Sequence, residues 1–209
     1  MTGAAVGVAP GVRRITCDNP GPMTFTGTRT YLVGEAEVAV IDPGPEDARH
    51  LAAVEAALAP GARLAAILVT HTHRDHSAGA RALAARTGAP VLAYGPHGAG
   101  MSEIMRRLAA AHDLGGGEGA DRTFRPDRCL ADGERLEIDG MPIEALHSPG
   151  HISNHLCFAL PAEGVLFTGD TVMGWATTLV SPPDGDMAAF MATLARLAAR
   201  EDRLLLPGH

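Results

Sequence analysis

The run His71-Thr72-His73-Arg74-Asp75-His76 packs three imidazoles and a carboxylate into six residues, directly after an apolar segment. A loop does not need that density of ionisable groups to hold its shape. Neutral imidazole nitrogens and carboxylate oxygens bind borderline divalent cations such as Zn²⁺ at about 2.0–2.2 Å. In extended backbone His71 and His73 point to one side and can reach one ion, while a turn after them can carry Asp75 and His76 to a second. Three further apolar runs lead into candidate ligands. Ile143–Leu146 leads to His151 through Ser148-Pro149-Gly150, Val165–Thr168 to Asp170 through Gly169, and Leu204–Leu206 to His209 through Pro207-Gly208. Any one histidine is more often a satisfied core or surface imidazole than a ligand. Agreement of context across the set reverses those odds.

The elements that must position these residues follow from local pattern. Thr30–Val33 and Glu37–Ile41 predict a hairpin ending at the turn Asp42-Pro43-Gly44. A helix is expected from about Glu46 to Leu58, then a buried strand Ala65–Thr70, an Ala-rich helix Ser77–Arg86 and a strand Val91–Tyr94. Gly95–Arg128 breaks this rhythm and predicts a surface insertion, with a short helix at Glu103–Ala111 followed by Gly115-Gly116-Gly117. Strands are expected at Arg135–Ile138 and Ile143–Leu146, joined by Asp139-Gly140, and at Leu156–Leu160 and Val165–Thr168. A helix capped by Asp186 and a last strand at Leu204–Leu206 complete an α/β pattern.

The 209 residues, 46% hydrophobic, suffice for one compact domain over 1–209, with a core of Leu, Val, Ile and Ala because aromatics are only 4%. A net charge of -7 argues against a general nucleic-acid coat. All 17 basic residues are Arg, and the local set Arg106, Arg107, Arg122, Arg125 and Arg128 reads first as a solvated charged loop and second as an RNA patch. Cys17, Cys129 and Cys157 are isolated, which fits a reducing compartment, the cytoplasm. Met1–Pro10 has neither a basic segment nor an apolar core for export, and no apolar run approaches the roughly 20 residues of a membrane span.

His71, His73, Asp75 and His76 match in full the H-x-H-x-D-H signature of the metallo-β-lactamase superfamily, which this chain resembles over about residues 30–209. The later single His, the bridging Asp, the final His and the early Asp of that superfamily resemble His151, Asp170, His209 and Asp42. The resemblance implies an αββα sandwich, two mixed sheets between helical layers. It also implies two Zn²⁺ ions, Fe or Mn being alternatives, with His71, His73 and His151 on the first, Asp75, His76 and His209 on the second, and Asp170 on both. Asp75 would additionally orient the attacking hydroxide as a catalytic group, and Asp42 and His155 would support the ligands by hydrogen bonding. Gly169-Asp170-Thr171-Val172-Met173-Gly174, Thr177-Thr178 and Pro182-Pro183-Asp184-Gly185-Asp186 resemble the β-lactamase-like-protein 2 branch, which includes an endoribonuclease. Members of that branch continue past Pro-Gly-His with a helical tail, whereas this chain stops on His209. A fraying His209 and a weaker second metal are therefore expected.

The implied activity is hydrolysis of an ester, thioester, amide or phosphodiester by hydroxide bound between two metals. A small-molecule substrate is expected, with single-stranded RNA as a further possibility. A mono-iron persulfide-dioxygenase-like oxidoreductase is the alternative from another class. A non-catalytic scaffold fits a complete ligand set poorly. Of the other candidates, His147 carries no assigned role, and His50, His97 and His112 are expected to be solvated and without partners. Trp175 is expected to pack against the core.

Overall fold

The computed structural model describes residues 3–111 and 119–209; His112 and Gly115-Gly116-Gly117 lie outside the described residues. Two strands absent from the sequence expectations open the chain: β1 (Val6–Ala9) and β2 (Val12–Thr16) form a hairpin turned at Gly11, whose φ is +66°. β1 is exposed or half-buried throughout and β2 carries the half-buried Arg13 and Arg14, so neither shows a clean apolar alternation. Then come β3 (Arg29–Val33), β4 (Glu37–Ile41), α1 (Ala48–Ala56) and β5 (Arg63–Leu68). The chain continues through α2 (Arg74–Ser77), α3 (Gly79–Thr87), β6 (Val91–Ala93), α4 (Glu103–Ala111) and β7 (Arg128–Cys129). The remaining elements are β8 (Arg135–Ile138), β9 (Met141–His147), β10 (Leu156–Leu160), β11 (Val165–Gly169), α5 (Met187–Ala198) and β12 (Leu204–Pro207).

Strand alternation sorts the apolar side chains into layers. Tyr31, Val33, Ala39 and Ile41 face Ile143, Ala145, Phe158 and Phe167 across the gap between a seven-stranded sheet, ordered β1 to β7, and a five-stranded sheet, ordered β12-β11-β10-β9-β8. The alternate residues Leu32, Val38 and Val40 point the other way, against Leu51 and Val54 of α1 and Leu83 of α3. Leu146, Cys157, Ala159 and Leu166 cover the outer face of the second sheet, under Leu197 of α5. Both sheets are mixed, with β4 to β7 parallel and β11 parallel to β12. The result is the expected sandwich of two mixed sheets between helices.

The segment expected to be a surface insertion divides. α4 has no buried residue, as an insertion would. Residues 119–129, however, belong to the frame: Ala120 bridges His73, Phe124 is buried, and β7 forms an edge of the first sheet. Its basic residues are largely matched by acids, with Arg106 and Arg107 on Glu103 and Arg128 on Glu134. No helix among the described residues is long and apolar enough to cross a membrane.

His50 departs from expectation. Asp47 caps α1 by accepting from Arg49 N and His50 N, at 2.8 and 2.9 Å, which turns the His50 ring inward. There it is fully buried, with Nε2 2.8 Å from the Thr30 hydroxyl. Burial pulls its pKa down to about 4. Because the folded value lies below the unfolded one, near 6.5, the neutral ring stabilises the fold above pH 6.5, and that contribution is lost as pH falls toward 4. At about pH 4.5 the loss attributable to His50 should be about 2 to 3 kcal/mol. Urea unfolding of metal-free wild type and His50→Gln at about pH 7.5 and 4.5 checks this. The variant should lose less stability on acidification, and equal losses would remove His50 from the acid response.

Candidate metal centre

Four strand ends deliver the seven candidate ligands to one place. β5 runs into His71, His73, Asp75 and His76, with the last two on α2; β9, β11 and β12 run into His151, Asp170 and His209. Leu156 N donates to Thr70 O at 2.7 Å, and Arg29 N to Gly208 O at 2.9 Å, so backbone bonds tie the two sheets together beside the site. Glycine is required where the loops close. A Cβ on Gly208 would lie 2.6 Å from both Asp170 Oδ1 and His76 Cε1, and one on Gly169 would lie 2.5 Å from His155 Nε2.

The ligand atoms form two groups, one of His71, His73, His151 and Asp170 and one of Asp75, His76 and His209, each spanning no more than 4.8 Å. Asp170 faces both. Its Oδ2 lies 4.0 Å from His71 Nε2 and 3.8 Å from His151 Nε2, while its Oδ1 lies 3.4 Å from His76 Nε2 and 3.7 Å from His209 Nε2. Asp75 Oδ2 sits 3.1 Å from His209 Nε2 and 3.5 Å from His76 Nε2.

Hydrogen bonds on the far side of each ring decide which nitrogens face inward with a lone pair. Thr70 Oγ1 donates to Asp42 Oδ2 at 2.7 Å, so it accepts from His71 Nδ1 at 2.9 Å and leaves His71 Nε2 bare. His151 Nδ1 donates to Leu179 O at 2.6 Å and leaves its Nε2 bare. His76 Nδ1 donates to Asp42 Oδ2 at 2.8 Å. Within the first group, His71 Nε2 and His151 Nε2 both approach His73 Nδ1, at 2.9 and 3.0 Å. One proton at most lies between three lone pairs. Buried Asp170 Oδ1 has no hydrogen-bond partner at all. Three converging nitrogens and an unpartnered carboxylate oxygen are satisfied together by cations, so the donor set fits a metal pair.

Electrostatics agrees. Burial, then the neighbouring imidazoles, holds His71 well below the ordinary histidine range, and burial and His151 bring His73 to about 4. Both are therefore neutral, as ligands must be. Burial works against charge on Asp170, but His76, His209 and His151 outweigh it and keep the carboxylate ionised. Asp75 is likewise held at about 2, burial being overcome by His76 and His209. His76 is raised, against its burial, by Asp170, Asp75 and Asp42, which stabilise on its ring a positive charge that a bound cation would replace.

Asp42 and His155, the expected supporting residues, contact candidate ligands. Asp42, in left-handed backbone at φ 52°, accepts from Thr70 N at 2.8 Å as well as from Thr70 Oγ1 and His76. His155 Nε2 accepts from Asp170 N at 3.1 Å, and its ring stacks on His71 with centroids 5.0 Å apart. His209 does not fray: it is buried, its carbonyl accepts from Gly174 N at 3.2 Å, and Gly208 N donates to Gly169 O at 2.8 Å.

Other expectations need correction. His97, expected to be solvated, is mostly buried, and its Nε2 lies 3.3 Å from Asp184 Oδ1. His147 stacks on Tyr94 with centroids 3.8 Å apart. Trp175 does not pack into the core but is 42% exposed and stacks on Phe25. Sequence reasoning also missed Thr70 and the Leu179 carbonyl. Thr70 could have been noticed as the hydroxyl immediately before the first ligand. The carbonyl could not, since any residue carries one and it lies 28 positions from His151.

The fold and the donor set together define an αββα protein able to bind metal ions where the strand ends of its two sheets meet. The chain belongs to the metallo-β-lactamase superfamily, whose family model matches residues 23–209. It is 33% identical to the lactamase-like protein adaB of Aspergillus niger over 201 residues, 95% of this chain and 54% of that protein. It is 31% identical to an atrochrysone carboxyl ACP thioesterase of Aspergillus fumigatus, covering 97% of this chain and 56% of that one. The chain thus spans about half the length of these curated relatives. Among solved structures it is similar to a metallo-β-lactamase family protein of Thermus thermophilus, with TM-score 0.73, 25% identity, and 96% and 73% of the two chains covered. A related protein solved in a di-iron-bound form matches with TM-score 0.68 and 27% identity, covering 94% of this chain and 91% of that one.

Proposed function

We propose that this chain is a zinc-dependent hydrolase acting on thioesters of small molecules. The observation that carries the reading is the placement of Asp170, whose two carboxylate oxygens face two separate ligand groups. Cations held by these groups would supply an acidified water and polarise a carbonyl or leaving group. His71, His73 and His151 would hold one ion, and Asp75, His76 and His209 the other. Asp75, 29% exposed at its side chain, would accept a hydrogen bond from the entering water, take its proton as the oxygen–carbon bond forms, and return that proton to the leaving thiolate as the carbon–sulfur bond breaks. Asp42 and Thr70 keep His76 and His71 in the tautomers that direct Nε2 inward.

The thioester reading rests on the thioesterase-named relatives, combined with a surface that gives RNA little to grip. Three of the five arginines that suggested an RNA patch are paired with acids. A complete second ligand group weighs against a mono-iron dioxygenase. Metal-stripped protein, reloaded separately with Zn²⁺, Fe²⁺ or Mn²⁺, should be assayed on S-acyl-N-acetylcysteamine thioesters, lactones, a β-lactam and single-stranded RNA. Thioesters should be cleaved at least about tenfold more efficiently than the other classes, about 1.4 kcal/mol of transition-state preference. Preferred cleavage of RNA would replace the substrate class, and no hydrolysis with any metal would sink the reading.

A further inference from the structure

Trp175 and Phe25 are each about half exposed, at 42% and 51%, yet they stack on one another with centroids 5.0 Å apart and planes 15° from parallel. Phe25 also sits in left-handed backbone, at φ 52°, which a bulky side chain rarely adopts. Its loop is firmly built. Asn19 accepts from Thr28 N at 2.8 Å and donates to Thr28 Oγ1 at 3.0 Å; Thr24 Oγ1 donates to Asn19 O at 2.5 Å; and Phe25 N donates to Gly21 O at 2.8 Å. Two apolar rings are thus held out in water by a loop under strain, and core packing does not account for them.

Their position gives them a use. Three contacts fasten the Trp175 loop to the metal centre: Gly174 N to His209 O at 3.2 Å, Thr178 Oγ1 to Asp170 O at 2.8 Å, and His151 Nδ1 to Leu179 O at 2.6 Å. Leu179 itself is 56% exposed on the same loop. Another flank is polar. Asp184, paired with His97, feels the charge of Arg122, and exposed Arg122 lies two residues beyond Ala120, which bridges His73. The centre is therefore apolar on the His209 side and charged on the His73 side.

We infer that Phe25 and Trp175 form an apolar clasp for the non-reacting part of the substrate. The substrate class is then an amphiphile, with a long alkyl or aromatic acyl group on the clasp and a polar leaving portion toward Arg122 and His97. This inference rests on the hydrolase reading but can be tested apart from it, because Trp175 is the only tryptophan in the chain and its emission reports on this site alone.

Metal-free protein should be titrated with non-hydrolysable thioethers of N-acetylcysteamine bearing a decyl or a methyl group, while Trp175 emission is recorded. The decyl compound should give a saturable blue shift, with a dissociation constant at least about tenfold lower than the methyl compound's. Phe25→Ala should remove that preference, and Ile104→Ala, an exposed apolar residue on α4, should keep it. In the zinc-loaded enzyme Phe25→Ala should lower kcat/KM for a decanoyl thioester by about tenfold, whereas Ile104→Ala should not. Circular dichroism verifies that the variants are folded. An emission shift without thioester hydrolysis would uphold the clasp and reject the hydrolase reading. Hydrolysis without chain-length dependence or an emission shift would overturn the clasp. Emission that changes with protein concentration, together with loss of a dimer in Phe25→Ala, would assign the rings to a contact between copies and equally overturn it.

Discussion

Asp170→Ala should lower kcat/KM by about 10³-fold or more, because the uncoupling of two cations removes several kcal/mol of transition-state stabilisation. The fold should survive. Asp170 is buried, but its Oδ1 has no hydrogen-bond partner, and the packed clusters of Phe158, Phe167 and Leu206 do not include it. Its backbone N–H, which the substitution retains, still donates to His155. Bound zinc should fall from about two ions per chain to one or fewer, since both ligand groups lose a neighbouring carboxylate. Circular dichroism, metal analysis and turnover on one preparation would decide. Wild-type turnover in the variant would remove Asp170 from the mechanism.

Gly208→Ala should have the second-largest effect through a single methyl group. The added Cβ would come within 2.6 Å of Asp170 Oδ1 and of His76 Cε1, and neither can retreat easily. His76 is fully buried and bonded to Asp42, and the Asp170 backbone is anchored through its N–H to His155. The displacement falls on His76 and on the Asp170 oxygen that faces His76 and His209, rather than on His71, His73 and His151. One zinc should therefore remain tightly bound while the second weakens. Turnover should drop about 10²-fold, the cost expected for misplacing catalytic groups by about 1 Å. Isothermal titration with zinc would separate the two sites; two sites of unchanged affinity would show that the loop yields without moving the ligands.

The helices and strands that carry ligands were readable because each combines a short apolar run with a recognisable stop. Leu156–Leu160 and Arg135–Ile138 have the expected bounds, and Asp186 caps α5 as its residue type suggests. The edge strands β1 and β7, and β2 beside β1, were not readable, since they are partly exposed and lack the alternation that marks a buried face. The 95–128 region misled for a related reason: its glycines and charges describe α4 well but hide the contacts of Ala120 and Phe124.

The candidate donor set was legible in the order and spacing of His71, His73, Asp75, His76, His151, Asp170 and His209, because the types of atom that can bind a cation are covalent properties of the residues. Which lone pair faces inward was not. The Nδ1 bonds of His71, His76 and His151 go to Thr70, Asp42 and the Leu179 carbonyl, and only the packed sheets and the loop after β11 bring those partners to the rings. The same holds for His50 and Trp175, which the sequence suggested would be solvated and buried and which the fold places the other way round. Local sequence carries donor chemistry and strand period. Exposure, tautomer and the meeting of Phe25 with Trp175 depend on contacts between residues far apart in the chain, and only tertiary packing creates those contacts.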